Sequence, residues 1–323
     1  MSWLVTGGAG YIGAHVVRSL QSAGFGVVVL DDLSTGSADR VPGGVPLVVG
    51  SVLDRALLDT VLATHGVDGV VHVAGKKRVD ESVARPLFYY EENVEGLRTL
   101  LDAVVAAGVR RFVFSSSAAV YGMPDVDLVD EDVTCRPINP YGESKLVGEW
   151  LIRAAATAHG IAYASLRYFN VAGAGAPELA DTGVFNLIPM VFERLRGGAA
   201  PVIFGDDYPT PDGTCVRDFI HVQDLAEAHA AAARRLLADP EAALTLNVGR
   251  GEGTSVRAMV DLIRAETGHE DVVAVVRPRR PGDPARVVAA ADRIRRELGF
   301  EARYGLHDMV ASAWHGWAPQ PVT

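Results

Sequence analysis

The stretch SWLVTGGAGYIG, Ser2 to Gly13, decides the fold. SWLVT (2–6) reads as a strand that empties into a turn carrying Gly7, Gly10 and Gly13, after which an amphipathic helix runs to about Ala23. Glycines there let the backbone turn tightly, approach a pyrophosphate and seat the helix close to a sheet. The helix N-terminus adds N–H groups and positive dipole for the phosphates. The next strand, VVVL (27–30), ends in Asp31 and Asp32, about 20 residues on, where an acidic side chain can bind the ribose 2′-hydroxyl. Together these features point to a dinucleotide site rather than a tight turn with a capping aspartate. They favour NAD over NADP, because a carboxylate repels a 2′-phosphate and no arginine immediately follows to receive one.

The pattern repeats outward as VPLVVG (45–50), a helix from about Asp54 to Thr64, VDGVVHVAG (67–75), a long helix around 92–107, and RRFVFSSSAAVYG (110–122). Apolar strands alternating with helices imply a doubly wound parallel sheet covered on both faces. Strands ending in small or hydroxylated residues put Ala74, Gly75 and Ser115 to Ser117 at its carboxyl edge, where ligands bind. His72 lies inside the fourth strand and reads as half-buried. The other histidines show no metal spacing, so no metal is expected.

The whole chain narrows the function further. Its 323 residues suit two domains or one large α/β unit with a substantial core. A formal net charge of −10, with no Lys/Arg block, argues against nucleic-acid binding, so an anionic ligand must be held by locally placed cations. Cys135 and Cys215, without a CxxC, argue against a disulfide framework or zinc and for the reduced cytoplasm. Met1 runs straight into a strand without the regions of a signal peptide, and no apolar run spans a bilayer, so no membrane role is expected.

The chemistry centres on NPYGESK, Asn139 to Lys145. With Pro140 in a helix's first turn, Tyr141 and Lys145 fall at i and i+4 and share a face. A free tyrosine has a pKa of about 10, and holding it ionised near neutrality takes about 4 kcal/mol, which a nearby cation can supply. YxxxK alone is also a common solvated pair. Ser117, a hydroxyl at a strand's end, could donate to the substrate oxygen that Tyr141 deprotonates. After Lys145 the helix continues to about His159 and AYASLRYFN (162–170) forms strand six, with Asn170 at the sheet edge. The Gly-, Ala- and Pro-rich GAGAPELADTG (173–183) suits a crossing into a second domain. Beyond it come helices starting in FNLIPMVFERL and at 221–238, strand LTLNVG (244–249), a capped helix at 254–268, VVAVVRP and two short C-terminal helices. Trp314 and Trp317 read as packing against the small domain.

TGGAGYIG, DDLSTG, the AGKKRVDESV run, SSSAAVYG, NPYGESK, RYFN and FGDDYPTPDGTCVRDFIHV together resemble the UDP-glucose 4-epimerase family of extended short-chain dehydrogenases/reductases, over essentially the whole chain. The resemblance implies an α/β Rossmann domain at 1–173, with 218–250 returning to it, and a smaller α/β nucleotide-sugar domain over most of 174–323. It implies NAD as cofactor, a UDP-sugar as substrate, a cytoplasmic enzyme, and reversible inversion at C4 of UDP-galactose and UDP-glucose. The catalytic residues would be Tyr141, Lys145 and Ser117, with Lys145 and the nicotinamide charge lowering the Tyr141 pKa. The implied cofactor set is Gly7, Gly10, Tyr11, Ile12, Gly13, Asp31, Ser51, Val52, Val73, Ala74, Gly75, Lys77, Asn93, Ser115, Tyr141, Lys145 and Tyr168. The implied substrate set is Ser117, Tyr141, Asn170, Asn186, Leu187, Val202, Phe204 beside the uracil, Arg217, Arg280, Asp283 and Val287. Two arginines also make sense from their chemistry as clamps for a diphosphate, although Arg280, in RPRRPGD, equally suits a surface ion pair.

The chain departs from the family at Ser51 (usually aspartate), Ala119 (threonine), Val171 (proline) and Phe219 (tyrosine), and in a shorter crossing loop after Ala172. A 4,6-dehydratase would need an acid/base pair after Ser117, where this chain has Ala118 and Ala119. A non-catalytic NAD-binding regulator would not need Ser117, Tyr141 and Lys145 together. In the family a residue shortly after the Arg/Asp clamp lines the pocket beside the sugar's C2 substituent. Counting from Asp283 places Val287 there, leaving room for N-acetyl sugars, whereas a one-residue gap at Pro284 brings Arg286. The helices near 92–107 and 141–158 are expected to pair with symmetry mates in a four-helix homodimer interface.

Overall fold

The computed structural model describes residues 1–280 and 282–317. Its strands are β1 (Ser2–Thr6), β2 (Gly26–Asp31), β3 (Leu47–Val49), β4 (Val67–His72), β5 (Arg111–Ser117), β6 (Ala162–Tyr168), β7 (Asn170–Ala172), β8 (Val202–Phe204), β9 (Val216–His221), β10 (Ala243–Val248), β11 (Gly253–Ser255), β12 (Val275–Arg277) and β13 (Arg286–Val287). Its helices are α1 (Tyr11–Ser22), α2 (Arg55–Thr64), α3 (Val79–Ala84), α4 (Pro86–Tyr89), α5 (Gly96–Ala106), α6 (Pro140–His159), α7 (Leu187–Arg196), α8 (Val222–Ala238), α9 (Val256–Glu266), α10 (Asp292–Leu298) and α11 (Leu306–Trp317).

Seven parallel strands form the main sheet in the order β3-β2-β1-β4-β5-β6-β10. The order reverses between β1 and β4, so the loops leaving these strands diverge and open a crevice at the carboxyl edge. Because both faces are covered, the strands carry near-continuous apolar runs. On one face α1 and α8 pack around Trp3, Leu20, Leu225 and Leu236. On the other, α2, α5 and α6 bury Leu58, Leu97, Phe112 and Ile152.

The remaining strands build a smaller unit around β9. β11 pairs with β9 antiparallel, β13 and β7 pair with it in parallel, and β8 pairs with β12. Its core contains Phe192, Ile203, Met259 and Met309, with Trp314 and Trp317 against the Phe192 ring at 5.0 and 5.9 Å between centroids.

Two details differ from the periodic reading. The expected helix at 92–107 is π-helical over Tyr90–Glu95, and α5 starts only at Gly96. A Cβ at Gly96 would meet the Val52 side chain at 2.9 Å, so glycine lets the start of α5 pack closely there. His72 is fully buried rather than half-buried. Its Nδ1 lies 2.7 Å from Thr6 Oγ1, its ring stacks on Phe114, and burial pushes its pKa down to about 3.

Candidate active site

Gly7 has φ +72°, and a Cβ on it would lie 2.7 Å from the Ala74 nitrogen; a Cβ on Gly13 would lie 2.0 Å from the Gly7 carbonyl oxygen. No other residue can make this turn. The N-cap of α1 is Gly10, which has no side chain to bond the first N–H groups, so they face the crevice free for an anion. The Asp31 carboxylate is buried and held at the end of β2 by the Ala9 and Leu33 N–H groups, at 2.9 and 2.8 Å.

These elements enclose a cavity of about 420 Å³ lined by Gly7, Gly10, Tyr11, Ile12, Gly13, Asp31, Ser51, Val52, Val73, Ala74, Gly75, Lys77, Tyr141, Lys145 and Tyr168. The glycine turn, the uncapped helix N-terminus and the acidic strand end fit a dinucleotide. Asn93 and Ser115, also expected as cofactor contacts, stand behind the residues that line this cavity. Asn93 is turned into the protein, binding the Lys76 N–H at 2.8 Å, the Lys76 carbonyl at 2.9 Å and Ser144 Oγ at 3.0 Å. The Ser115 hydroxyl is taken by His229 Nε2 at 2.8 Å. Both shape the wall from behind.

Sequence reasoning missed other lining residues, including Ser34, Thr35, Arg40, Lys76, Arg78, Asp181 and Phe185. They close the rim. Lys76 Nζ donates to Ser34 Oγ at 3.0 Å, the Arg78 guanidinium stands 4.3 Å over the Phe185 ring, and Arg40 Nη2 donates to the Ala180 carbonyl at 2.9 Å. Lys76 and Arg78 stand in the AGKKR run, which was a usable signal. Nothing local marks Phe185, which reaches the rim from the second unit.

Tyr141 occupies the first turn of α6. The Asn139 side chain caps that helix by accepting from the Gly142 N–H at 2.9 Å, and Pro140 sits at its first turn. Tyr141 and Lys145 are buried at 7% and 5% exposure, which excludes the solvated-pair reading. Ser117 ends β5 and lines the second cavity together with Tyr141. Burial pushes the Tyr141 pKa above its ordinary value, with the Ser117 hydroxyl opposing the rise. Within the chain itself Lys145 does not produce the expected lowering. Its ammonium donates to the Ser115 carbonyl at 2.9 Å, and burial brings its pKa down to about 8. Among the described residues no group of His, Cys, Asp and Glu side chains could hold a metal.

Tyr11, Ile12, Lys77, Tyr141, Tyr168 and Asp181 also line a second cavity of about 370 Å³, with Ser117, Ala118, Ala119, Asn170, Asn186, Leu187, Arg217, Phe219, Asp283 and Val287. Tyr141 thus stands at the junction. A third cavity, about 220 Å³, continues past Asn170, Asn186, Leu187, Arg217 and Asp283 to Val202, Phe204 and Arg280. Arg217 Nη2 bonds Asp283 Oδ1 at 2.5 Å, and the exposed Arg280 guanidinium stacks over Phe204 at 3.9 Å. In the parallel pairing of β13 with β9, Val287 lies opposite Arg217 and lines the second cavity, while Arg286 Nε is engaged with the Asp127 carbonyl at 2.9 Å.

Comparison with known proteins agrees with this geometry. The UDP-glucose 4-epimerase of Azospirillum brasilense is 47% identical, covering 97% of this chain and 91% of its own. The structure of UDP-glucose-4-epimerase from Stenotrophomonas maltophila, with bound NAD and formylated UDP-arabinopyranose, superposes with a TM-score of 0.92 at 42% identity over 98% of each chain. That of UDP-glucose 4-epimerase from Brucella ovis in complex with NAD gives 0.93 at 39% identity, again over 98% of each. Residues 3–249 match the model of the NAD dependent epimerase/dehydratase family, to which this chain belongs.

Proposed function

We propose that the chain catalyses the NAD-dependent, reversible inversion at C4 of UDP-galactose and UDP-glucose. The observation that carries this is Tyr141, which lines both the dinucleotide cavity and the second cavity and shares the second with Ser117. NAD, when bound, supplies hydride acceptance and return at the sugar carbon, and its oxidised ring adds positive charge. The remaining work falls to the chain. Tyr141 takes the 4-hydroxyl proton and gives it back, Ser117 holds the oxygen, and Lys145 places a cation one turn from the phenol. Arg217 and Arg280 hold the diphosphate, with the Arg280-stacked Phe204 beside the uracil. Ala118 and Ala119 offer only methyl groups to the second cavity, where dehydration would require an acid and a base. Incubating the purified protein with UDP-galactose should yield an equilibrium mixture with UDP-glucose; a protein that binds NAD but leaves UDP-galactose unchanged refutes the assignment.

Val287 leaves space beside the sugar, and the proposal extends to the N-acetyl forms. A residue that merely leaves room discriminates weakly, by about 1–3 kcal/mol. We also assign the active form as a cytoplasmic homodimer. Trp150 on α6 is 51% exposed and Cys135 and Cys215 are free thiols, consistent with a partner on α6 and a reducing compartment. Among the described residues no helix is long and apolar enough to cross a membrane. A monomeric mass by light scattering at micromolar concentration would refute the dimer.

A further inference from the structure

β5 ends in three serines, and α6 meets each of them differently. Ser117 shares the second cavity with Tyr141, the Ser115 carbonyl accepts from Lys145 Nζ at 2.9 Å, and the Ser116 hydroxyl donates to Glu149 Oε1 at 2.5 Å. Tyr141, Lys145 and Glu149 are four apart on one helix, so they share a face, and Glu149 is buried like the other two at 7% exposure. The Glu149 carboxylate is also gripped by Arg167 of β6, Nε to Oε1 at 2.9 Å and Nη2 to Oε2 at 2.6 Å. Arg167 is itself fixed through Nη1, which donates to Tyr121 Oη at 2.9 Å and to the Glu131 carbonyl at 3.2 Å. Its neighbour Tyr168 lines both of the first two cavities, whereas Glu149 and Arg167 line neither.

A buried ion pair of this kind contributes little net stability, since apolar side chains of similar volume often replace one at no loss. Two parallel N–H···O bonds do, however, fix direction and separation closely. We propose that Glu149 is a positioning residue: by tying α6 to β5 through Ser116 and to β6 through Arg167, it sets the approach of Tyr141 to Ser117. The inference rests on Tyr141 being the base of the reaction. The required placement is narrow, because a displacement of about 1 Å in such a site lowers the rate on the order of 100-fold.

The test separates stability from geometry. In Glu149→Met/Arg167→Met both charges leave together, so no unpaired charge stays buried; Ser116, Tyr121 and the Glu131 carbonyl each lose a partner, and the protein should melt lower yet still fold and bind NAD. Its kcat with UDP-galactose should fall roughly 100-fold, with KM within about threefold. The acid limb of the kcat–pH profile should move to higher pH, because drawing Tyr141 away from Ser117 weakens the one interaction that opposes the rise of its pKa on burial. The other titratable side chains shared by the two cavities, Tyr11 on α1, Lys77, Asp181 and Tyr168 on β6, are untouched, as is Lys145 on α6. Glu149→Gln keeps the shape and loses the charge, so it should show the same limb displacement with a smaller loss and serves if the double variant folds poorly. A folded double variant with kcat within about threefold of wild type overturns the proposal, as does a rate loss with an unmoved acid limb. Failure of the wild type to interconvert UDP-galactose and UDP-glucose overturns the functional reading instead, and this proposal with it.

Discussion

At Tyr141 two effects oppose one another. Removal from water raises the pKa of the phenol, and the Ser117 hydroxyl lowers it, with burial the larger. A phenol so held is a proton carrier that needs added positive charge to act as a base at neutral pH. Tyr141→Phe removes the proton site and nothing else. Turnover should fall by roughly 10²–10⁴-fold while NAD remains bound, as absorbance of the purified protein will show. Lys145 titrates at about 8 in the folded chain, below its ordinary value because burial disfavours the ammonium. Its charge is therefore present below pH 8 and fades as pH rises through it. The rate penalty of Lys145→Ala should be largest below that point and shrink above it, when kcat ratios are compared across pH. A ratio constant with pH would mean that Lys145 acts only by orienting its neighbours.

The elements carry this chemistry through their ends and registers. Asn139 caps α6 two residues before Tyr141, so its loss frays the turn that holds the phenol. Asn139→Ala should cost about 1 kcal/mol of stability, visible as a lower melting temperature, and should lower kcat as well. β13 is only two residues long, yet its pairing with β9 decides which side chain faces the sugar cavity, since a slip of one residue exchanges inward and outward positions. Val287 lines the second cavity, while Arg286 Nε is engaged by the Asp127 carbonyl. Val287→Tyr should accordingly remove activity on UDP-N-acetylgalactosamine while sparing UDP-galactose, measured as kcat/KM for each. Loss of both activities equally would place the C2 substituent elsewhere.

On the scale of the whole molecule, three segments distant in sequence meet around the mouth of the dinucleotide cavity. The loop at 76–78 touches the loop after β2 through Lys76 and Ser34, the segment 180–185 through Arg78 and Phe185, and Arg40 joins the last two. Each contact is protein to protein, so opening the ring is expected to speed both uptake and release of the cofactor. An exposed cation–aromatic pair contributes about 0.5–1 kcal/mol, and Phe185→Ala should raise both the association and dissociation rates of NAD a few-fold, with little change in Kd. Stopped-flow binding and isotope exchange measure the two rates. An increase in dissociation alone would make Phe185 an ordinary contact.

Local patterns in the sequence were enough for the strand–glycine turn–helix, the acid at the end of β2, the alternation that makes a parallel sheet, and the i, i+4 spacing of Tyr141 and Lys145. Each depends on residues near one another in the chain, where backbone sterics and periodicity act directly. Tertiary structure alone decided which partners those groups have. It gave Asn93 to Lys76, Ser115 to His229 and the Lys145 ammonium to the Ser115 carbonyl. It also brought Glu149 against Ser116 and Arg167, and Phe185 against Arg78. The physical reason is that a hydrogen bond or stacked pair is set by distances of a few ångströms between elements whose separation along the chain carries no periodic signal.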